Sequence, residues 1–220
     1  MEDKLISDRT IIRIAQVISA VFSPFTIPFF AFLILFLFSY LRIMPLSYKL
    51  IVLGIVYCFT ILVPTVAIYL YGKILGIETN DLNRREHRFV PFILTLLSYV
   101  CCFILMKRYN IPWYMSGIIF TALLLTVVCV ISNLWWKLSE HMAGAGAIIG
   151  GLIAFSLLFG YNPVWWLCLF IFISGLLGSA RIILTRHNLG EVMGGFAVGL
   201  ICSLLVLYPT RNMLFQLLLF

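Results

Sequence analysis

Seven long apolar runs, at about 14–41, 50–72, 89–106, 112–136, 142–160, 163–180 and 192–208, take up most of this 220-residue chain. A helix needs ~20 apolar residues to cross the hydrocarbon layer. In lipid every backbone polar group must be satisfied internally, so continuous rather than alternating runs of this length fold as helices. The expected fold class is therefore all-α: a polytopic transmembrane helical bundle of about six or seven spans, with an active site at one membrane face. Composition agrees, since 63% of residues are hydrophobic and 10% are charged, against roughly 25% charged in soluble domains. No soluble domain fits beside the spans, and no Pro/Gly/Ser linker divides them. A single integral-membrane domain over 1–220 is expected.

The first run is too long for one straight helix and contains Pro24 and Pro28, which predicts a short interfacial helix from Thr10 to Phe22 feeding a kinked span. Tyr161-Asn162-Pro163 predicts a tight turn between the fifth and sixth spans. Residues 1–13 mix Glu2, Asp3, Lys4, Asp8 and Arg9. They lack the basic start and small-residue cleavage site of a signal peptide, so the first segment is expected to be retained. Cys58, Cys101, Cys102, Cys129, Cys168 and Cys202 all fall inside apolar runs without metal-ligand spacing; they read as packing or lipid-facing residues.

The connections alternate in character. Those after spans one, three and five carry Arg42, Lys49, Lys107 and Arg108, or no charge at all, and no acid or histidine. Those after spans two, four and six carry Asp81, Arg84, Arg85, Glu86, His87 and Arg88; then Lys137, Ser139, Glu140 and His141; then Arg181, Arg186, His187 and Glu191. A simple zigzag of spans puts these three polar islands on one face.

Each island carries chemistry. Arg84 and Arg88 have i, i+4 spacing and would lie on one side of a helical stretch, with guanidiniums suited to bidentate phosphate contacts; the plainer reading is a basic loop gripping lipid headgroups. Ser139 is placed to cap a helix whose free N–H groups would make an anion site beside His141, while Gly144 and Gly146 allow another backbone to approach. A capping serine with an interfacial histidine is the structural alternative. In the third island, His187 and Glu191 are i, i+4 at the start of a span. A carboxylate that accepts from one imidazole nitrogen leaves the other as a base or nucleophile. A His–Glu pair that stabilises helix packing, or relays protons, is the competing reading.

In this order and at these spacings the islands resemble the type 2 phosphatidic acid phosphatase superfamily, which also includes vanadium haloperoxidases. Its motifs run K-x6-R-P, P-S-G-H and S-R-x5-H-x3-D. The third is the strong match: Arg181, five residues, His187, three residues, Glu191 in place of aspartate. The second matches at Ser139 and His141, with Leu138 for the proline and Glu140 for the glycine. The first matches at Arg88, with its proline displaced to Pro91 and Asp81 where the lysine stands. Arg84 or Arg85 would supply that missing cation.

The resemblance implies metal-independent hydrolysis of a lipid phosphomonoester or isoprenyl diphosphate through a phosphohistidine, without a cofactor. His187 would attack phosphorus, His141 would protonate the leaving oxygen and Glu191 would orient His187. Arg88, Arg181, Ser139 and Arg84 or Arg85 would hold the phosphate oxygens. Partners are then a lipid phosphate and membrane lipids. Scattered basic residues, at a formal net charge of +7, argue against nucleic acid; nothing in the sequence bears on oligomeric state. The alternatives are a lipid phosphotransferase and a transporter or binding protein for anionic lipids or small anions. Short basic loops tend to stay cytoplasmic, so the polar face is expected to look out of a bacterial inner membrane, toward the periplasm or outside.

Overall fold

The computed structural model describes residues 2–75 and 89–208. Among them the chain is helical with no strand: α1 (Glu2–Val21), α2 (Thr26–Phe38), a 3₁₀ turn (Tyr40–Ile43), α3 (Leu46–Tyr57), a π-helical segment (Cys58–Leu62), α4 (Val63–Leu75), α5 (Phe89–Arg108), α6 (Trp113–Ser132), α7 (Glu140–Phe159), α8 (Val164–Ile183) and α9 (Leu189–Leu207). The α3–π–α4 stretch is one span, Leu46–Ile74, and with α5 to α9 it makes six helices long and apolar enough to cross a membrane. The broken pair α1–α2, bent by 66°, is a seventh candidate. This is an all-α polytopic bundle of an integral membrane protein.

The kink expected in the first run lies at residues 22–25. Thr26 Oγ1 donates to the Val21 carbonyl across the break (2.7 Å), and Pro28 falls in the first turn of α2, where its missing N–H costs nothing. α1 leaves Ile11, Ile14, Val17 and Val21 exposed, as suits a helix lying against lipid.

The π-segment has a local cause. Pro64 cannot donate to a carbonyl one turn back, and Val63 N–H already bonds Cys58 O, so the Phe59 carbonyl has no helical donor. Ser98 on α5 supplies one, its Oγ donating to Phe59 O at 2.5 Å. Because an unsatisfied carbonyl in an apolar interior costs about 1–3 kcal/mol, Ser98→Ala should lower the apparent unfolding temperature in detergent while Ser98→Thr holds it. Equal melting of both variants and the parent would contradict this account of the Pro64 bend.

The closest packing joins α7 to α9, where glycines remove the side chains that would hold the backbones apart. A Cβ on Gly199 would collide with the Ala143 carbonyl and one on Gly146 with the Phe196 carbonyl; on Gly150 it would lie 2.8 Å from Leu200 O, and on Gly195 2.5 Å from Ser139 O. Gly144 differs from expectation. It faces the Ile27 side chain of α2 rather than a backbone.

The connections segregate as the zigzag requires. Leu41, Ile111 and Met115 share one apolar cluster with Phe159 and Tyr161, so the three weakly charged connections meet at one end. There the predicted turn forms, with Gly160 at φ 63° and Asn162 Oδ1 accepting from Val164 N–H (3.0 Å). At the other end Met142, Leu177 and Val192 pack with Ile18 of α1 and with Phe22 just after it. The exposed Trp135 and Trp136 mark that end and Trp165 the opposite one, as aromatic belts do at membrane interfaces.

Candidate active site

Two of the three islands meet at the end marked by Trp135 and Trp136. The Ser139 N–H donates to the Glu191 carbonyl (3.2 Å), which ties the entry of α7 to the entry of α9. Lys137 Nζ donates to the Arg186 carbonyl (3.3 Å), which ties the two loops. Asp81, Arg84, Arg85, Glu86, His87 and Arg88 lie outside the described residues. α5 begins just after them, and its Phe92 packs with Cys129 and Ala143, so the chain leaves the first island at this same end.

The spacing of the third island is produced by two helix caps placed back to back. Arg181 sits in the last turn of α8. The helix closes with Thr185 N–H on Ile182 O (2.9 Å) and Arg186 N–H on Arg181 O (3.2 Å), the paired bonds of a Schellman cap. That cap needs a left-handed residue, and Thr185 fills the position at φ 52°. A β-branched residue there is strained by about 1–3 kcal/mol. α9 then opens with a reciprocal capping box. Asn188 Oδ1 accepts from Glu191 N–H (2.8 Å) while Glu191 Oε2 accepts from Asn188 N–H (3.3 Å).

His187 therefore precedes the helix instead of lying on its first turn, a correction to the helical spacing expected from sequence. The pair forms all the same, because the capping box turns the Glu191 carboxylate back over the loop. His187 Nδ1 and Glu191 Oε2 are 2.8 Å apart, with side chains only 3% and 14% exposed. A carboxylate accepts, so Nδ1 carries the proton and Nε2 keeps its lone pair. Burial pushes the imidazole down from 6.5 to about 4; the Glu191 hydrogen bond and charge oppose this, and the charges of Arg181 and Lys137 reinforce it. Near neutral pH the ring is an uncharged base, held in one tautomer.

His141, the second residue of α7, joins the same cluster through α1. Its Nε2 lies 3.1 Å from the Ser19 carbonyl, and Arg181 Nη1 donates to Ser19 Oγ (2.7 Å). One buried serine thus brings together the histidine of the second island and the arginine of the third. Ser139 occupies the N-cap of α7 with extended backbone, but its hydroxyl makes no capping bond. That hydroxyl is fully buried and without a hydrogen-bond partner among the described residues, another correction to the expected cap.

Sequence reasoning missed Ser19, Lys137 as a charge acting on His187, and Asn188. The last was legible as the Asn-x-x-Glu signature of a capping box. Ser19 had no signal, being a neutral residue inside the first apolar run. Among the described residues no three His, Cys, Asp or Glu side chains gather as a metal site. Comparison with protein-family models, with curated proteins and with solved structures gave no match, so the resemblance rests on the motif residues themselves.

Proposed function

We propose that this protein is a membrane phosphatase of lipid phosphomonoesters or isoprenyl diphosphates, working through a phosphohistidine without a metal. The observation that carries this reading is the buried His187–Glu191 pair, 2.8 Å from Nδ1 to the carboxylate, with the Arg181 charge acting on the ring. Its Nε2 lone pair forms the bond to phosphorus as the P–O bond of the lipid breaks, and the departing oxygen takes a proton from His141. Water then attacks phosphorus, giving its proton to His141 as the N–P bond breaks and the lone pair returns to His187. Phosphoryl transfer depends chiefly on positioning and charge stabilisation, which Arg181 and the Ser139 hydroxyl supply, with Arg84, Arg85 and Arg88 as the further candidates. A substrate oxygen replaces Ser19 as the partner of His141 and Arg181. Purified protein given a long-chain alkyl phosphate with a chelator present should release inorganic phosphate; its complete absence across phosphomonoesters and diphosphates would favour an anion transporter.

The pH profile is a second test. A nucleophile must be unprotonated, so the acid limb of kcat/KM should fall well below 6.5, toward the His187 value of about 4. The Lys137 charge holds that value down. Lys137→Met should therefore move the acid limb to higher pH, because protonation of His187 becomes easier. A limb that stays in place, or moves to lower pH, would detach His187 from the profile.

We place the catalytic face outside a bacterial inner membrane. Arg42, Lys49, Lys107 and Arg108 belong to the connections at the opposite end with no acid among them, the pattern of cytoplasmic loops. A single cysteine at Asn83, in a chain lacking the native six, should react with an impermeant maleimide in intact cells, and one at Ser47 should not. The reverse pattern would put the site in the cytoplasm.

A further inference from the structure

An apolar cleft, open on one side, runs between α2, α5, α6 and α7. One end is lined by Glu140, between Ser139 and His141, and by Pro24 and Phe25 at the break between α1 and α2; the far end reaches Tyr161. Along α7 the lining extends from Glu140 to Phe155, about 22 Å at 1.5 Å per residue, or most of a ~30 Å hydrocarbon layer. The threonines in its wall have no hydroxyl proton left to give a ligand. Thr95, Thr121 and Thr126 each bond a carbonyl one turn back on their own helix (2.8 Å each).

We propose that this cleft holds one long hydrocarbon tail of the substrate lipid, with the phosphate at its mouth beside His141. The inference rests on the phosphatase reading for the headgroup; the tail site rests on the cleft alone. Three features select this occupant. The cleft is long in the direction a lipid tail runs, its wall is mostly apolar, and it begins at Glu140, the residue between Ser139 and His141. A single-chain alkyl or polyisoprenyl phosphate would lie in the cleft along its length, whereas a diacyl lipid would leave its second chain in the bilayer.

The test uses the full chain in nanodiscs and a non-hydrolysable long-chain alkylphosphonate with a diazirine in mid-chain, its photo-adducts mapped by mass spectrometry. Adducts should fall on cleft residues of α5, α6 and α7. A long-chain alkyl phosphate should compete, and the alcohol with the same tail should not. Ala122→Trp and Ala147→Trp, which narrow the middle of the cleft, should raise KM for long-tail phosphates by about tenfold or more, the scale on which small changes in pocket volume act. Turnover of butyl phosphate should hold. Leu169→Trp, on the exposed face of α8, should change neither substrate. Comparing an isoprenyl phosphate with a diacyl phosphatidate then decides between single-chain and two-chain sources.

Adducts spread over outward-facing residues, equal competition by the alcohol, or an unchanged long-tail KM in a folded Ala147→Trp protein would overturn the tail site. Cleft labelling without phosphate release from any substrate would uphold it and sink the phosphatase reading. If the tryptophan variants do not fold, the adduct map and competition in the parent chain decide.

Discussion

Replacing His187 with alanine is expected to abolish phosphate release, by about 10⁵- to 10⁶-fold if it behaves as other covalent nucleophiles do, while the protein still folds. The physical reason for separating the two effects lies in the caps. α9 is opened by Asn188 and Glu191, whose reciprocal bonds do not use the histidine ring. Removing the imidazole takes one of two donors from Glu191 Oε2, which keeps the Asn188 N–H, so the size-exclusion profile and melting temperature should stay near the parent's. Activity in that variant close to the parent level would end the nucleophile assignment. Loss of folding together with activity would instead make the His187–Glu191 pair a packing device.

The largest structural effect is expected at Gly199. A valine there would drive its Cβ into the carbonyl of Ala143, and backbone on a neighbouring helix cannot rotate away as a side chain can. α7 and α9 must separate, at a cost above the ~1–3 kcal/mol usual for overpacking. The separation would also pull Ser139 and His141 from His187 and Glu191, since the same helix pair carries both halves of the site. Gly199→Val should therefore yield little folded protein, and none that is active. Gly175→Ala supplies the contrast: nothing lies within 4 Å of the added carbon, and alanine is the better helix former. Its melting temperature should match or exceed the parent's. Equal tolerance at both positions would contradict the close α7–α9 packing.

What was legible in the sequence follows from which forces act locally. The run at 89–106 became Phe89–Arg108 and the run at 163–180 became Val164–Ile183, because hydrocarbon thickness and the charges at the ends set these helices with little help from their neighbours. The run at 112–136 overran. α6 stops at Ser132, and Trp135 and Trp136, apolar by composition, belong to the connection at the membrane edge. The π-segment was invisible because it depends on Pro64 meeting Ser98 from another helix. The His187–Glu191 pair was legible from spacing, yet for a different geometric reason than helical periodicity. Ser19 could not be read at all, since only the fold of α1 against α8 brings it to His141 and Arg181. Arg84, Arg85 and Arg88 lie outside the described residues, so their part in the cation set belongs to the proposal alone.

The central claim is that phosphorus becomes bonded to His187. Mixing the protein with a lipid phosphate carrying labelled phosphorus and quenching within the first turnovers in alkali, where a phosphohistidine survives, should trap the label on the peptide containing His187. The label should be absent from His187→Ala and should accumulate in a variant slowed in hydrolysis. Phosphate release with no label on the protein at any quench time, or label on a residue other than His187, would contradict the account.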